Sequence, residues 1–148
     1  MIGTMERRRL GIILGFILGA ALPAAACNYT YTLIDPAGRH TVVTEGGSAS
    51  LVRGESYVLR MEYHENHRNC SVSPEETLYL VDGARWRLER ETQPLVLTAM
   101  PRWEQPASRT HRGEFAFTAA REGAWLLEVV RICDRGGYHG EILFEVQS

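Results

Sequence analysis

The feature that most limits the fold is a two-residue alternation of apolar and polar side chains, which recurs along the chain after residue 28. Residues 57–64, for example, carry an apolar side chain at every odd position and mostly polar ones between them. Successive side chains of a strand point to opposite faces, so this pattern is typical of a strand with one buried face. No segment beyond residue 28 carries an apolar stripe at helical spacing. We therefore expect an all-β chain.

Turn signals divide the alternating segments into seven to nine short strands. The clearest signals are Asp35-Pro36-Ala37-Gly38, Gly46-Gly47, Asp82-Gly83 and Glu122-Gly123. Several connections have hairpin length, and no segment could supply the helix of a parallel crossover. The pattern predicts a single antiparallel β-sandwich. The stretch 101–113, rich in Pro, Arg, Ser and His, is expected to be a long surface loop.

Before this domain lies a segment with the three parts of an export signal. Arg7, Arg8 and Arg9 precede an apolar run at 10–22, and three alanines at 24–26 close it. Residues 1–26 are therefore expected to be a signal peptide or an apolar anchor helix, and residues 27–148 one β-sandwich domain.

The end of this segment, Leu22-Pro23-Ala24-Ala25-Ala26-Cys27, resembles the lipobox of bacterial lipoproteins. In that family the cysteine becomes the lipidated first residue. The resemblance implies lipid on Cys27 and a periplasmic or cell-surface protein associated with the membrane. Cleavage after Ala26 without lipid, or a retained anchor helix, are the other outcomes that the segment allows.

The chain has three cysteines, Cys27, Cys70 and Cys133. An odd count in an exported protein leaves one thiol to explain, and lipid on Cys27 would account for it. An oxidising compartment then favours a disulfide between Cys70 and Cys133. Closing a loop of this length contributes about 4 kcal/mol of stability in the chain-entropy model.

Charge and composition exclude several classes of function. Removing residues 1–26 takes away three arginines and Glu6, which leaves 13 arginines against 17 acidic residues and a formal charge of -4. Without a basic patch to neutralise phosphates, nucleic acid is not expected as a partner. The chain contains no lysine, so Schiff-base chemistry is excluded. No nucleophile–base pair can be recognised, and we do not expect an enzyme.

The segment from Gly113-Glu114-Phe115-Ala116-Phe117-Thr118 through Glu122-Gly123-Ala124-Trp125-Leu126-Leu127-Glu128-Val129 resembles the penultimate hairpin of bacterial immunoglobulin-like domains. It is also similar to the corresponding region of cupredoxins, the small blue-copper sandwiches. The resemblance covers about the last 35 residues. It implies an immunoglobulin-like or cupredoxin-like sandwich and leaves the function open.

Two segments of unusual composition are expected to meet at one end of the sandwich. The first, 64–70, follows the strand at 57–64, and the second, 133–140, joins the strands at 125–132 and 141–146. In immunoglobulin order these segments are the B–C and F–G loops, which lie at the same end of the domain. A bridge between Cys70 and Cys133 would staple the two loops together.

Histidines in the same loops support an alternative interpretation as a metal site. His64 and His67 stand in the first loop, and Cys133 and His139 in the second. Imidazole and thiolate suit copper or zinc. The Cys133-x5-His139 spacing resembles the ligand loop of cupredoxins, although no methionine follows it as an axial ligand. The metal alternative is therefore a site of His64, His67 and His139 beside an intact disulfide; otherwise no cofactor is expected.

The first function hypothesis is a non-enzymatic binding or accessory module, held at a membrane surface by its lipid or anchor. Its stapled loops would be presented to a protein partner. Arg68, Trp103 and Tyr138 are the expected contacts, since arginine and aromatic side chains anchor interfaces. The alternative is a periplasmic copper- or zinc-binding protein that uses the loop histidines.

Overall fold

A computed structural model describes residues 27–67, 72–88, 90–134 and 136–148. Within these ranges the chain is all-β, with eleven strands and one short 3-10 turn. The predicted leader at 1–26, and the predicted site residues Arg68 and Cys70, lie outside the described residues.

The strands form two sheets. In chain order they are β1 (Cys27–Ile34), β2 (His40–Val43), β3 (Ser48–Val52), β4 (Ser56–Glu65), β5 (Leu78–Val81), β6 (Ala84–Arg85), β7 (Leu95–Leu97), β8 (Trp103–Ala107), β9 (Thr110–Ala119), β10 (Gly123–Arg131) and β11 (Tyr138–Gln147). The first sheet has the order β2-β1-β4-β9-β7, with β8 also paired to β9. The second has the order β3-β11-β10-β5-β6. The 3-10 turn, Pro74–Glu76, comes just before β5.

The predicted alternation positions the core. Along β4, Tyr57, Leu59, Met61 and Tyr63 are all buried, as one face of a strand requires. The two sheets share one apolar cluster. Phe117 of β9 in the first sheet and Phe144 of β11 in the second sit with ring centroids 5.7 Å apart. Two sheets packed on a common core support the predicted β-sandwich.

One pairing in the second sheet departs from the antiparallel prediction. Strand β3 pairs with β11 in parallel, with Ser48 opposite Leu143 and Val52 opposite Gln147, so the sheet is mixed. A parallel pair requires a long crossover between its two strands. The chain between β3 and β11 provides that crossover with strands of both sheets, and no helix is needed.

The prediction of a surface loop at 101–113 is wrong. Strand β8 and the start of β9 form a hairpin there, with a register shift between Glu104 and Ala107. Arg109 has a positive φ of 58° in the turn. Pro106 is accommodated because β8, among the described strands, pairs with β9 alone, and such an edge tolerates a missing donor. Short strands of this kind also raise the total above the predicted seven to nine.

Candidate functional site

The ends of β4 and β10 meet at one rim of the two sheets. His67, two residues after β4, places Nε2 3.5 Å from Sγ of Cys133, two residues after β10. The two residues are 66 positions apart in sequence. The sandwich arrangement predicted that these segments converge, and this contact joins them.

A buried ion pair lies directly beneath that contact. Arg131, whose side chain is 0% exposed, donates from Nη2 to Oε1 of Glu65 at 3.1 Å. Its Nη1 donates to the carbonyl of Ser73 at 3.1 Å and to Oγ1 of Thr77 at 3.2 Å. A buried guanidinium is tolerated only with such partners. Arg131 therefore ties β4, β10 and the segment before β5 into one unit.

Sequence reasoning did not single out Arg131, although the sequence contains a signal for it. Leu127 and Val129 are the buried positions of β10, and Arg131 continues the same two-residue phase. A charged residue in phase with a buried face requires a partner inside the protein. The Tyr63 ring also lies under the guanidinium, 4.6 Å from its carbon to the ring centroid.

A stack of tyrosines from both sheets forms the next layer of the rim. The Tyr29 ring lies 4.2 Å from that of Tyr138 and 4.8 Å from that of Tyr63, centroid to centroid. The Tyr138 hydroxyl donates to Oε2 of Glu45 at 2.8 Å and lies 2.7 Å from the hydroxyl of Tyr31. The stack joins β1, β4 and β11 near the point where their ends meet.

Burial raises the pKa of four tyrosine hydroxyls, those of Tyr31, Tyr63, Tyr79 and Tyr138, above their usual range. Desolvation is the largest cause in each case, because a tyrosinate would lose its contact with water. For Tyr31, the hydrogen bond with Tyr138 raises the pKa further. These hydroxyls therefore stay neutral near physiological pH, and those of Tyr31, Tyr79 and Tyr138 form hydrogen bonds within the protein.

A cavity of about 580 Å³ opens between the start of β1 and the β10–β11 loop. Tyr29 and Tyr138 contribute aromatic surface to it, and Glu45 contributes a carboxylate. Ile132, which also lines the cavity, is 73% exposed. The volume of the cavity falls within the range of about 300–1,000 Å³ that is usual for ligand pockets.

The loop at the mouth of the cavity requires glycine. Gly137 has φ of 95°, and a Cβ there would lie 2.1 Å from the carbonyl oxygen of Arg131. Only glycine adopts this conformation without strain. The close approach brings Tyr138 back under the loop and shapes the wall of the cavity.

Two of the predicted partner contacts, Trp103 and Tyr138, lie within the described residues, whereas Arg68 lies outside them. Trp103 begins β8 and packs among aromatic rings, with centroids 5.8 Å from Tyr63 and 6.1 Å from Phe115. Tyr138 lines the rim cavity, although most of its side chain is buried and its hydroxyl is bonded inside the protein. The exposed Ile132, which the sequence reasoning passed over, lines the same cavity.

Cys133 lies at the rim without a disulfide. Cys133 is a free thiol in the structure, with His67 beside it, and Cys70 lies outside the described residues. The predicted Cys70–Cys133 bridge is therefore not seen, and His67–Cys133 is the contact between the loops. Cys27 is buried at the start of β1, opposite Glu65.

The three candidate metal-binding histidines occupy separate places. His64 Nδ1 lies 3.0 Å from Oγ1 of Thr110 in the first sheet. His67 contacts Cys133, while His139 Nε2 lies 3.3 Å from Oε1 of Glu128. Among the described residues, no three-ligand group combines these histidines.

The rim therefore offers a cavity with aromatic walls and one carboxylate, which suits the binding of an apolar or aromatic group. In the part of the chain that the structure describes, no helix has the length and apolar character needed to cross a membrane. Neither the family models nor the curated proteins compared with this chain give a match.

Proposed function

We propose that the protein is an exported, membrane-tethered, non-enzymatic binding module that holds a protein partner at the rim cavity. The observation that carries this proposal is the exposed Ile132 beside a cavity with aromatic walls. A single exposed isoleucine is ordinary on a protein surface. One that adjoins an aromatic cavity extends it into a continuous apolar contact area.

Contacts that are already present in the protein without a partner support the proposal. The ion pair between Glu65 and Arg131, and the contact between His67 and Cys133, hold the ends of β4 and β10 and the residues just after them together before any partner arrives. Residues that are already held in place lose less conformational freedom on binding, so more of the contact energy appears as affinity. The Glu45 carboxylate, held by Tyr138, gives a partner one fixed acceptor for orientation.

For the type of sandwich, we favour the immunoglobulin-like arrangement. The order β1-β4-β9-β7 corresponds to A-B-E-D in that fold, and β11-β10-β5 corresponds to G-F-C. In these terms the rim cavity lies between the start of strand A and the F–G loop, and loops at the ends of such domains often serve in binding.

Export and lipid attachment are proposed from the sequence of residues 1–27. We expect the intact mass of protein extracted from the membrane to correspond to a chain that begins at Cys27 and carries lipid. A Cys27→Ser variant should lack the lipid mass. A native mass that corresponds to the unprocessed chain, or to a processed chain without lipid, would contradict the lipid assignment. Because Cys27 is buried in the structure, lipidation requires its Sγ to turn outward.

The binding proposal predicts that Ile132→Glu lowers partner affinity by about tenfold or more, since a carboxylate would be desolvated at an apolar contact. The control is Val42→Glu on β2, because Val42 is 74% exposed against 73% for Ile132. Membrane extracts are passed over immobilised wild-type protein and both variants. Proteins retained by the wild type and Val42→Glu should be lost with Ile132→Glu. Equal retention by all three would show that the rim is not the binding surface.

A further inference from the structure

On the outer face of the second sheet, three potential ligand side chains come together across β10 and β11. Glu128 and Glu141 are directly opposite each other in the antiparallel register, and His139 precedes Glu141 by two residues on the same face. His139 Nε2 lies 3.3 Å from Oε1 of Glu128 and 3.8 Å from Oε1 of Glu141. The three ligand atoms all lie within 4.8 Å of one another.

We propose that Glu128, His139 and Glu141 form a binding site for a divalent transition metal of the zinc class. This site differs from the loop-histidine site expected from the sequence, since it combines one histidine with two carboxylates from neighbouring strands. The proposal goes beyond the partner-binding function and does not depend on it.

The charges at this position point to a cation. Like charges directly opposite on neighbouring strands destabilise a sheet. The backbone pairing holds Glu128 and Glu141 in place, so they cannot move apart by a shift of the strands. A divalent ion would balance both carboxylates.

The surface beside the cluster has room for an ion. A space of about 180 Å³ adjoins the cluster and is lined by Glu45, Gly46, His139 and Glu141. It is large enough for an ion with bound water. It also brings the Glu45 carboxylate to the same place from the segment before β3.

The donor atoms select the class of metal. Imidazole favours zinc, copper or nickel over calcium and magnesium, which take oxygen ligands. With zinc–nitrogen and zinc–oxygen distances of about 2.0–2.2 Å, a tetrahedral site places nitrogen and oxygen ligands roughly 3.4 Å apart. The observed separations of 3.3 and 3.8 Å are close to that value. Three protein ligands and one water form an open zinc site.

The test is a calorimetric titration with Zn²⁺ of the full chain, purified without a histidine tag and stripped with a chelator. We expect one Zn²⁺ per chain, with at least about tenfold weaker binding for His139→Ala and for Glu141→Gln. The matched control is His40→Ala, an exposed histidine on β2, which should bind as the wild type does. A parallel titration with Mg²⁺ should give no heat.

Absence of Zn²⁺ binding would overturn the proposal, as would unchanged binding by His139→Ala. Loss of binding on His67→Ala, with His139→Ala unaffected, would place the metal at the rim and also overturn it. All three ligands are on the outer face of the sheet, so circular dichroism should show that every variant keeps the wild-type fold. Pull-down of the partner by Glu141→Gln should match the wild type, because Glu141, unlike His139, is not among the described residues that line the rim cavity. That result separates this test from the test of the rim.

Discussion

Replacing Arg131 with alanine is expected to lower the free energy of unfolding by about 3–5 kcal/mol. The substitution leaves Glu65 buried without its guanidinium, with His111 Nε2 remaining 3.5 Å from Oε1, and it removes the donors that hold Ser73 and Thr77. Removing the arginine of a buried pair takes away a permanent positive charge, which costs far more than the loss of a surface pair. Urea unfolding of the purified protein measures the change.

The matched control is Arg60→Ala. Arg60 Nη2 lies 2.7 Å from Oε1 of Glu114, so the ion pair is at least as short, but both side chains are substantially exposed. A surface pair of this kind contributes at most about 1 kcal/mol. A double replacement, Glu65→Leu with Arg131→Met, should recover much of the stability that Arg131→Ala loses. If Arg131→Ala cost no more than Arg60→Ala, the buried pair would not be what fixes the rim.

The second large effect is expected at alkaline pH. The pKa values of Tyr31, Tyr63, Tyr79 and Tyr138 are raised by burial in the folded protein. In the unfolded chain these hydroxyls ionise near pH 10. Above that pH the unfolded state binds fewer protons than the folded state, so stability falls as the pH rises. Below about pH 10 the stabilisation is fully present.

Above about pH 10, ionisation of each of the four tyrosines in the unfolded chain should lower the free energy of unfolding by about 1.4 kcal/mol per pH unit. Together the four should lower it by about 5–6 kcal/mol per pH unit. We therefore expect cooperative unfolding between about pH 10 and 12, with tyrosinate absorbance rising in the same transition. Tyr31→Phe should reduce the slope by about one quarter. Ionisation of all the tyrosines near pH 10 while the protein remains folded would contradict the description of the stack.

Much of the fold could be predicted from the sequence because alternation and turn residues are local signals. The buried face of β4 follows directly from every second side chain between Tyr57 and Tyr63. The parallel pairing of β3 with β11 could not be predicted in the same way, because it depends on which edge the chain reaches after crossing between sheets. The hairpin at β8 was missed because proline and polar residues suit an edge strand as well as a loop.

The site was predictable in position and much less so in composition. The strand order expected from the sequence places the segments after β4 and β10 at one end of the domain, and His67 and Cys133 do meet. Which side chains face outward depends on tertiary packing that local sequence does not report. Tyr138 turns inward to bond Glu45, whereas Ile132 turns outward, the reverse of what residue type alone suggests.

The proposed function requires that a partner binds at the rim cavity. The most direct measurement is photo-crosslinking of the full chain in cells that produce it, with a photoreactive amino acid in place of Ile132 or, as the control, Val42. The two positions have nearly equal exposure, so they sample the surroundings equally well. If the partner binds at the rim cavity, we expect a discrete covalent adduct with another protein from position 132 and none from position 42. Adducts of equal yield from both positions, or none from position 132, would contradict it.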